Sequence, residues 1–408
     1  MPAHETSAVD SATSRCPRDR SPVAAIEFDP YDSDLTEPIV WNKYDELRSA
    51  GPAAHSPARG GFYLLGRFAE VRAALRDPES FSSASGHRIP TDGSQKSIPI
   101  DFDPPTHTDY RQIMTHAVSP DRVRQMRPFV HDLITDLVGE FRKTGGGDFV
   151  RAVALPLPLQ VLTELVGFSV GTVSRFRELT EAMWSRIAHV DYSEARGQIY
   201  LLMQAELEHH RREPKDDFVT WLLDATANDR EITDDERIRI LSTFAVAGHE
   251  TTMNASSTLV WLLVSRPGLQ DRLRADPALA PRYVEEMLRY RTPAQNFARR
   301  TTCPVDIKGM QIPEGEAVLL SYAAANRDPE RFPNPDQFDP DRESRGHLAF
   351  GWGIHQCMGA ALARSELTIL LETLCEHPPL RLTDDVRWSS LQGGNHFGPT
   401  QLPLTFDE

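Results

Sequence analysis

The chain has 408 residues, 40% of them hydrophobic, with a formal net charge of −15 at pH 7, enough apolar material for one large core or two to three small ones. The acidic balance, with no basic block and no interleaving of aromatic and basic residues, argues against nucleic acid as a partner. Four cysteines, Cys16, Cys303, Cys357 and Cys375, fit neither a disulfide framework nor a CxxC zinc site, and no apolar run approaches the roughly 18 residues of a membrane span, so a reducing compartment, the cytoplasm, and no membrane are expected.

The first 25 residues are polar, of mixed charge and without the apolar stretch of a secretory signal, so 1–25 is expected to be a disordered leader and 26–408 a single domain. Helical periodicity predicts helices near 41–50 and 68–75, either side of a strand at 62–65. Residues 78–100 are rich in Ser, Gly and Pro and read as a long loop. Helices are then predicted near 108–117, 120–143, 159–166, 170–185 and 193–211. Thr233-Asp234-Asp235-Glu236 is a capping-box start for a long helix over 234–265, which Pro267-Gly268 ends. A further helix spans 280–290, with Pro281 suited to its first turn. Lys308-Gly309 between 305–307 and 310–312 is a hairpin signal. Proline-rich coil follows over 328–342, then a helix over 358–376 and short strand-like alternations to residue 406. The fold class is therefore mainly α with a small β portion.

Four stretches carry candidate chemistry. In Phe350-Gly351-Trp352-Gly353-Ile354-His355-Gln356-Cys357-Met358-Gly359 a glycine-rich loop delivers one cysteine to the start of an apolar helix. Taken alone, Cys357 is either a buried structural thiol or a thiolate ligand favoured by a helix N-terminus, backbone N–H groups and nearby cations. Ala247-Gly248-His249-Glu250-Thr251-Thr252 interrupts the long helix. Glycine inside a helix costs about 1 kcal/mol against alanine, and Thr251 can bond back to a carbonyl one turn earlier. The stretch is either an ordinary polar bend or a groove with an acid and a hydroxyl for proton delivery. Glu286 and Arg289 lie three apart on one helical face, a common surface pair taken alone. His107 and Arg111 lie one turn apart after Asp103-Pro104-Pro105; with Arg299 and His355 they are surface residues or anion holders.

Together these stretches resemble the cytochrome P450 family. Residues 350–364 match its F-G-x-G-x-H-x-C-x-G-x-x-L-A-R loop without departure, and the other three stretches follow in the expected order. The resemblance spans residue 30 to the end and implies the cytochrome P450 fold with haem b (iron protoporphyrin IX) as cofactor. It implies Cys357 as the axial iron ligand, with Phe350, Gly351, Gly359, Ala247 and Gly248 lining the haem. Glu250 and Thr251 take the proton-delivery roles. His107, Arg111, Arg299 (rather than its neighbour Arg300) and His355 take the propionate positions. Glu286, Arg289 and Arg342 form a buried ion-pair network that serves folding and haem retention. His249 is expected as a packed or solvent-reaching helix residue, since a permanent sixth ligand would exclude O2.

No dinucleotide fingerprint, flavin module or iron–sulfur spacing is present, so a separate ferredoxin and ferredoxin reductase are expected to supply electrons. Arg122, Arg124, Arg127, Arg345 and Arg364 are candidates for the dock. A small organic substrate is expected against Trp184, Ile187, Gln295, Asn296, Phe297, His396 and Phe397. The implied activity is O2-dependent insertion of one oxygen atom. Desaturation, oxidative coupling or peroxide-driven oxidation on the same fold, and a non-catalytic haem sensor or electron carrier, are the alternatives.

Overall fold

The computed structural model describes residues 23–90, 96–169, 171–176, 178–179, 192–391 and 395–407. Trp184 and Ile187, most of the leader, and parts of the 78–100 and 170–185 predictions lie outside them. Helices dominate: α1 (Ile39–Ser49), α2 (Phe68–Leu75), α3 (Thr106–Thr115), α4 (Pro120–Lys143), α5 (Pro156–Val166), α6 (Tyr192–Arg212), α7 (Phe218–Leu223), α8 (Asp234–Ser265), α9 (Leu269–Ala275), α10 (Ala280–Tyr290), α11 (Tyr322–Ala325) and α12 (Ala360–Cys375).

Capping sets several boundaries. Thr233 and Glu236 form the capping box of α8, each side chain bonded to the other's backbone N–H. Ser119 caps α4 by accepting from the Arg122 N–H, with Pro120 at the first helical position. Gly167, in the left-handed region, ends α5. Gly248 does not break α8, which runs unbroken from 234 to 265. The expectation of an interruption is corrected. A Cβ at Gly248 would lie 2.9 Å from Leu162 Cδ2, so this glycine lets α5 approach α8.

The small β portion has a six-stranded sheet, in the order Ala24–Ala25, Ala54–Ser56, Phe62–Leu65, Ala317–Ser321, Asn296–Thr301, Phe81–Ser82, beside smaller sheets of two and three strands. Ala24 and Ala25 pair with Ala54 and His55, so the end of the stretch expected as leader is part of the sheet. Val318 lies opposite Arg299 and Leu320 opposite Phe297. Asn296–Thr301 and Ala317–Ser321 were not anticipated as strands, because two arginines and a proline-glutamate-glycine turn obscure their alternation. The hairpin at 305–312 forms as expected, with Lys308 and Gly309 both at positive φ. The largest apolar cluster joins α3–α8 and α12, and a second lies under the sheet.

Candidate active site

A cavity of about 1100 Å³ lies between α8, the start of α12 and the sheet. Pockets for drug-sized ligands span about 300–1,000 Å³, so this larger space suits a large flat cofactor with a second molecule beside it. Cys357 reaches it from the loop before α12. The Gly353–His355 turn and the bond from the Cys357 N–H to the Phe350 carbonyl (2.8 Å) hold that loop. Gly353 has φ +72°, and a Cβ there would lie 2.2 Å from the Leu75 carbonyl oxygen. The loop is thereby seated on the end of α2, and this glycine serves packing rather than cofactor approach.

Cys357 is open to the cavity, and desolvation by the surrounding walls pushes its thiol above its ordinary 9.0, against the Gly359 and Ala360 N–H groups and the Arg111 and Arg364 cations. The three favourable influences expected from the sequence are present, yet desolvation outweighs them. A bound cation at the sulfur would reverse that balance, because metal-bound thiols lose their proton.

Arg111, Arg299 and His355 line one side of the cavity, and His107, which does not reach its wall, is buried against His355. The His107 and His355 rings are 4.3 Å apart, centre to centre. Both His107 ring nitrogens are buried without a hydrogen bond. Burial, then the Arg111 cation, lowers His107 to about 4. Burial, then Arg299, His107 and Arg111, lowers His355 to about 2. Two guanidinium cations beside two neutral imidazoles, one of them with both ring nitrogens unbonded, favour an anion, and the two carboxylates of a haem fit that requirement. Arg299 lines the cavity and is buried, whereas Arg300 bonds the Gly315 carbonyl. Strand alternation separates the two neighbours. Arg111 also donates to the Gln356 carbonyl (2.6 Å), tying α3 to the residue before the cysteine.

Two residues here escaped sequence reasoning. Asp103 accepts from the Ser83 N–H (2.9 Å), and the Ser83 hydroxyl lies 3.0 Å from His355 Nε2. The Asp-Pro-Pro motif therefore steadies the residue that orients His355. The partnership joins positions 272 apart in sequence, so no local pattern signals it.

On α8, Ala247, Gly248, Glu250 and Thr251 line the cavity. The Thr251 hydroxyl donates to the Ala247 carbonyl (3.0 Å), as its position in a helix allows. Glu250 Oε2 lies 2.5 Å from His396 Nδ1. Burial works to raise the Glu250 carboxyl, but His396, Arg88 and His249 outweigh it and hold it below its ordinary value. His249 points elsewhere, 1% exposed, with its ring 5.7 Å from that of Phe176.

Behind the cysteine loop, Glu286 and Arg289 are fully buried and joined by two bonds of 2.7 and 2.8 Å. Arg342 Nε lies 3.2 Å from the same carboxylate, which also accepts from Ser344 and the Asp339 N–H. Arg289 donates onward to the carbonyls of Asn326, Pro335 and Gln337.

Phe297 and His396 line the cavity, but Gln295, Asn296 and Phe397 do not. Gln295 accepts from the Tyr44 hydroxyl (2.6 Å), and Asn296 donates to the same oxygen. Phe397 packs on Trp41 and Trp388. Phe297 and Arg299 share one face of their strand, so Asn296 must point to the other. Several expected dock cations have local partners: Arg124 pairs with Asp121, Arg127 with Glu372 and Arg364 with Glu285. The Arg364 guanidinium also lies 4.5 Å from the Phe350 ring centre.

This fold and this thiol-bearing cavity define the haem-thiolate class of oxidoreductases. A family model for cytochrome P450 matches residues 160–387. The chain is 34% identical over 379 residues to nocardicin C N-oxygenase of Nocardia uniformis subsp. tsuyamanensis, covering 89% of this chain and 94% of that one. It is 32% identical over 379 residues to mycinamicin IV hydroxylase/epoxidase of Micromonospora griseorubida, covering 89% and 95%. Among solved structures, cytochrome P450 CYP109Q5 of Chondromyces apiculatus superposes with a TM-score of 0.81 at 31% identity, covering 94% of this chain and 98% of that one. The chain belongs to the cytochrome P450 family: it is a monooxygenase whose cofactor is haem b. No helix among the described residues is long and apolar enough to cross a membrane.

Proposed function

We propose that this monooxygenase takes electrons from a separate ferredoxin and its reductase and inserts one oxygen atom into a small organic molecule bound beside Phe297 and α8. The observation that carries this reading is that the Cys357 thiol and the Glu250–Thr251 pair face the same cavity. Haem bound through Cys357 supplies O2 activation, with the sulfur donating electron density to the iron. His107, Arg111, Arg299 and His355 hold the two carboxylates of the cofactor. Glu250, a carboxylate paired with His396, takes up a proton and passes it on, and Thr251 carries one at its hydroxyl, both on the α8 wall. Ala247 and Gly248, with little or no side chain, leave room beside them. Apolar residues such as Phe297 and Val246 exclude water and orient the substrate.

Two of the relatives are named for nocardicin C and mycinamicin IV, and the cavity volume leaves room for an organic substrate beside the cofactor here. Screening compounds for a low-spin to high-spin change of the ferric protein identifies the ligand. Turnover under labelled O2 with a ferredoxin system then tests the reaction. One labelled atom in the product is expected, and product without label would overturn the reading. Thr251→Ala should keep electron consumption while losing most of the product, and tight coupling in that variant would remove Thr251 from proton delivery.

A further inference from the structure

The carboxyl end of the chain lies in register along α8. His396 meets Glu250 at 2.5 Å. Two residues on, a Cβ at Gly398 would sit 2.6 Å from Asn254 Oδ1, so here the tail backbone lies directly on the helix. Two residues of extended chain advance about 6.6 Å. Four residues of helix advance about 6.0 Å. The pairs 396 with 250 and 398 with 254 thus match in spacing, and Gly398 admits the close approach that brings the His396 ring onto the acid.

The tail is held rigidly on both sides of His396. The Gln295 N–H donates to the Asn395 carbonyl (2.7 Å), the Phe397 N–H to the Pro293 carbonyl (3.1 Å), and Ser389 and Gly398 bond through their backbones. Asn395 and Phe397 are 3% exposed, whereas the His396 side chain is 14% exposed and faces the cavity. A segment bonded on both sides therefore presents one partly accessible imidazole to one carboxylate that also reaches the cavity, at 23% side-chain exposure.

The geometry points to His396 as the positioning residue of Glu250, fixing its carboxylate and replacing the proton it gives up. The inference rests on the reading of Glu250 as the proton-delivering acid. The resting pair is a carboxylate and an imidazolium. The imidazolium passes its Nδ1 proton to Glu250 Oε2, leaving neutral imidazole and a neutral carboxyl. The carboxyl gives that proton toward the cavity and is a carboxylate again, and the ring takes up a proton from solvent. The other charged or titratable groups whose charge acts on Glu250 are His249, the preceding residue on α8, and Arg88, from the loop before residue 91. His249 is lowered to about 4, chiefly by burial, and Arg88 is a permanent cation, so neither changes charge near neutrality.

The test uses the reduced holoenzyme with carbon monoxide as the probe, following the C–O stretching band between about pH 5 and 8. In the wild type the band should shift with pH as the charge beside Glu250 changes. His396→Gln should lose that shift, as should Gly398→Val, whose side chain drives the tail off Asn254. Glu250→Gln should displace the band and remove its pH dependence. All variants should keep the thiolate–CO Soret band, which reports an intact fold. A wild-type band fixed across the range, or an undiminished shift in His396→Gln, overturns the role of His396. If Glu250→Gln also leaves the band unmoved, the reading of Glu250 itself fails. With a substrate in hand, His396→Gln should lower coupled product formation about 10-fold, less than the loss of about 10²-fold or more expected on removing an acid outright.

Discussion

Glu366 shows how burial alone sets the behaviour of one side chain. It faces the cavity from α12, 3% exposed, and its Oε2 makes no hydrogen bond. Burial pushes its carboxyl from 4.5 up to about 8. Between those values the folded protein keeps the proton and the unfolded chain has released it. The unfolded state then binds fewer protons, so stability falls as pH rises through that interval and levels off above it. Glu366→Gln keeps the shape and removes the ionisation. Its thermal midpoint should exceed that of the wild type at pH 8, and the two should converge near pH 4.5. At about 1.4 kcal/mol per pH unit the difference amounts to several kcal/mol. Parallel melting curves across the range would contradict this. Nothing local in the sequence marks Glu366, since an acid amid the apolar residues of α12 reads as an exposed position until the packing is known.

At the scale of elements, close approach is what the glycines and the ion-pair network secure. Gly248→Ala should destabilise by about 1–3 kcal/mol, the usual cost of overpacking, because its Cβ meets Leu162. Combining it with Leu162→Ala should cost less than the sum of the single changes, measured as a double-mutant cycle by chemical denaturation. Strict additivity would mean that the α5–α8 contact is not where the strain falls. Arg289→Lys should also fail, because a lysine cannot hold the Glu286 carboxylate with two bonds and still reach the three carbonyls that Arg289 joins. The expected readout is a purified protein with little or no haem. Normal haem content in Arg289→Lys would remove that arginine from cofactor retention. The helices were legible because periodicity and caps are local: the 234–265 and 280–290 boundaries coincide with the observed ones. The cavity-facing residues of the 296–301 strand were not, because alternation is visible only once the strand is known. Gln295 and Asn296 were accordingly placed on the wrong side.

Across the whole molecule, segments far apart in sequence meet at one cavity: α3, the 296–301 strand, α8 and the cysteine loop. The motifs at residues 107, 250, 286 and 357 pointed to the site without the fold. The contacts that tune it, Ser83 with His355 and His396 with Glu250, depend on tertiary packing and have no sequence signal. All of these elements presume iron held by the Cys357 sulfur, since the cationic cluster and the Glu250–Thr251 pair acquire a purpose only around it. The absorption spectrum of the reduced holoprotein under carbon monoxide tests that bond most directly. The red-shifted Soret band of a thiolate ligand is expected in the wild type and should be lost in Cys357→His. A wild-type spectrum of the imidazole-ligated kind, or a Cys357→His spectrum that keeps the thiolate band, would contradict the account.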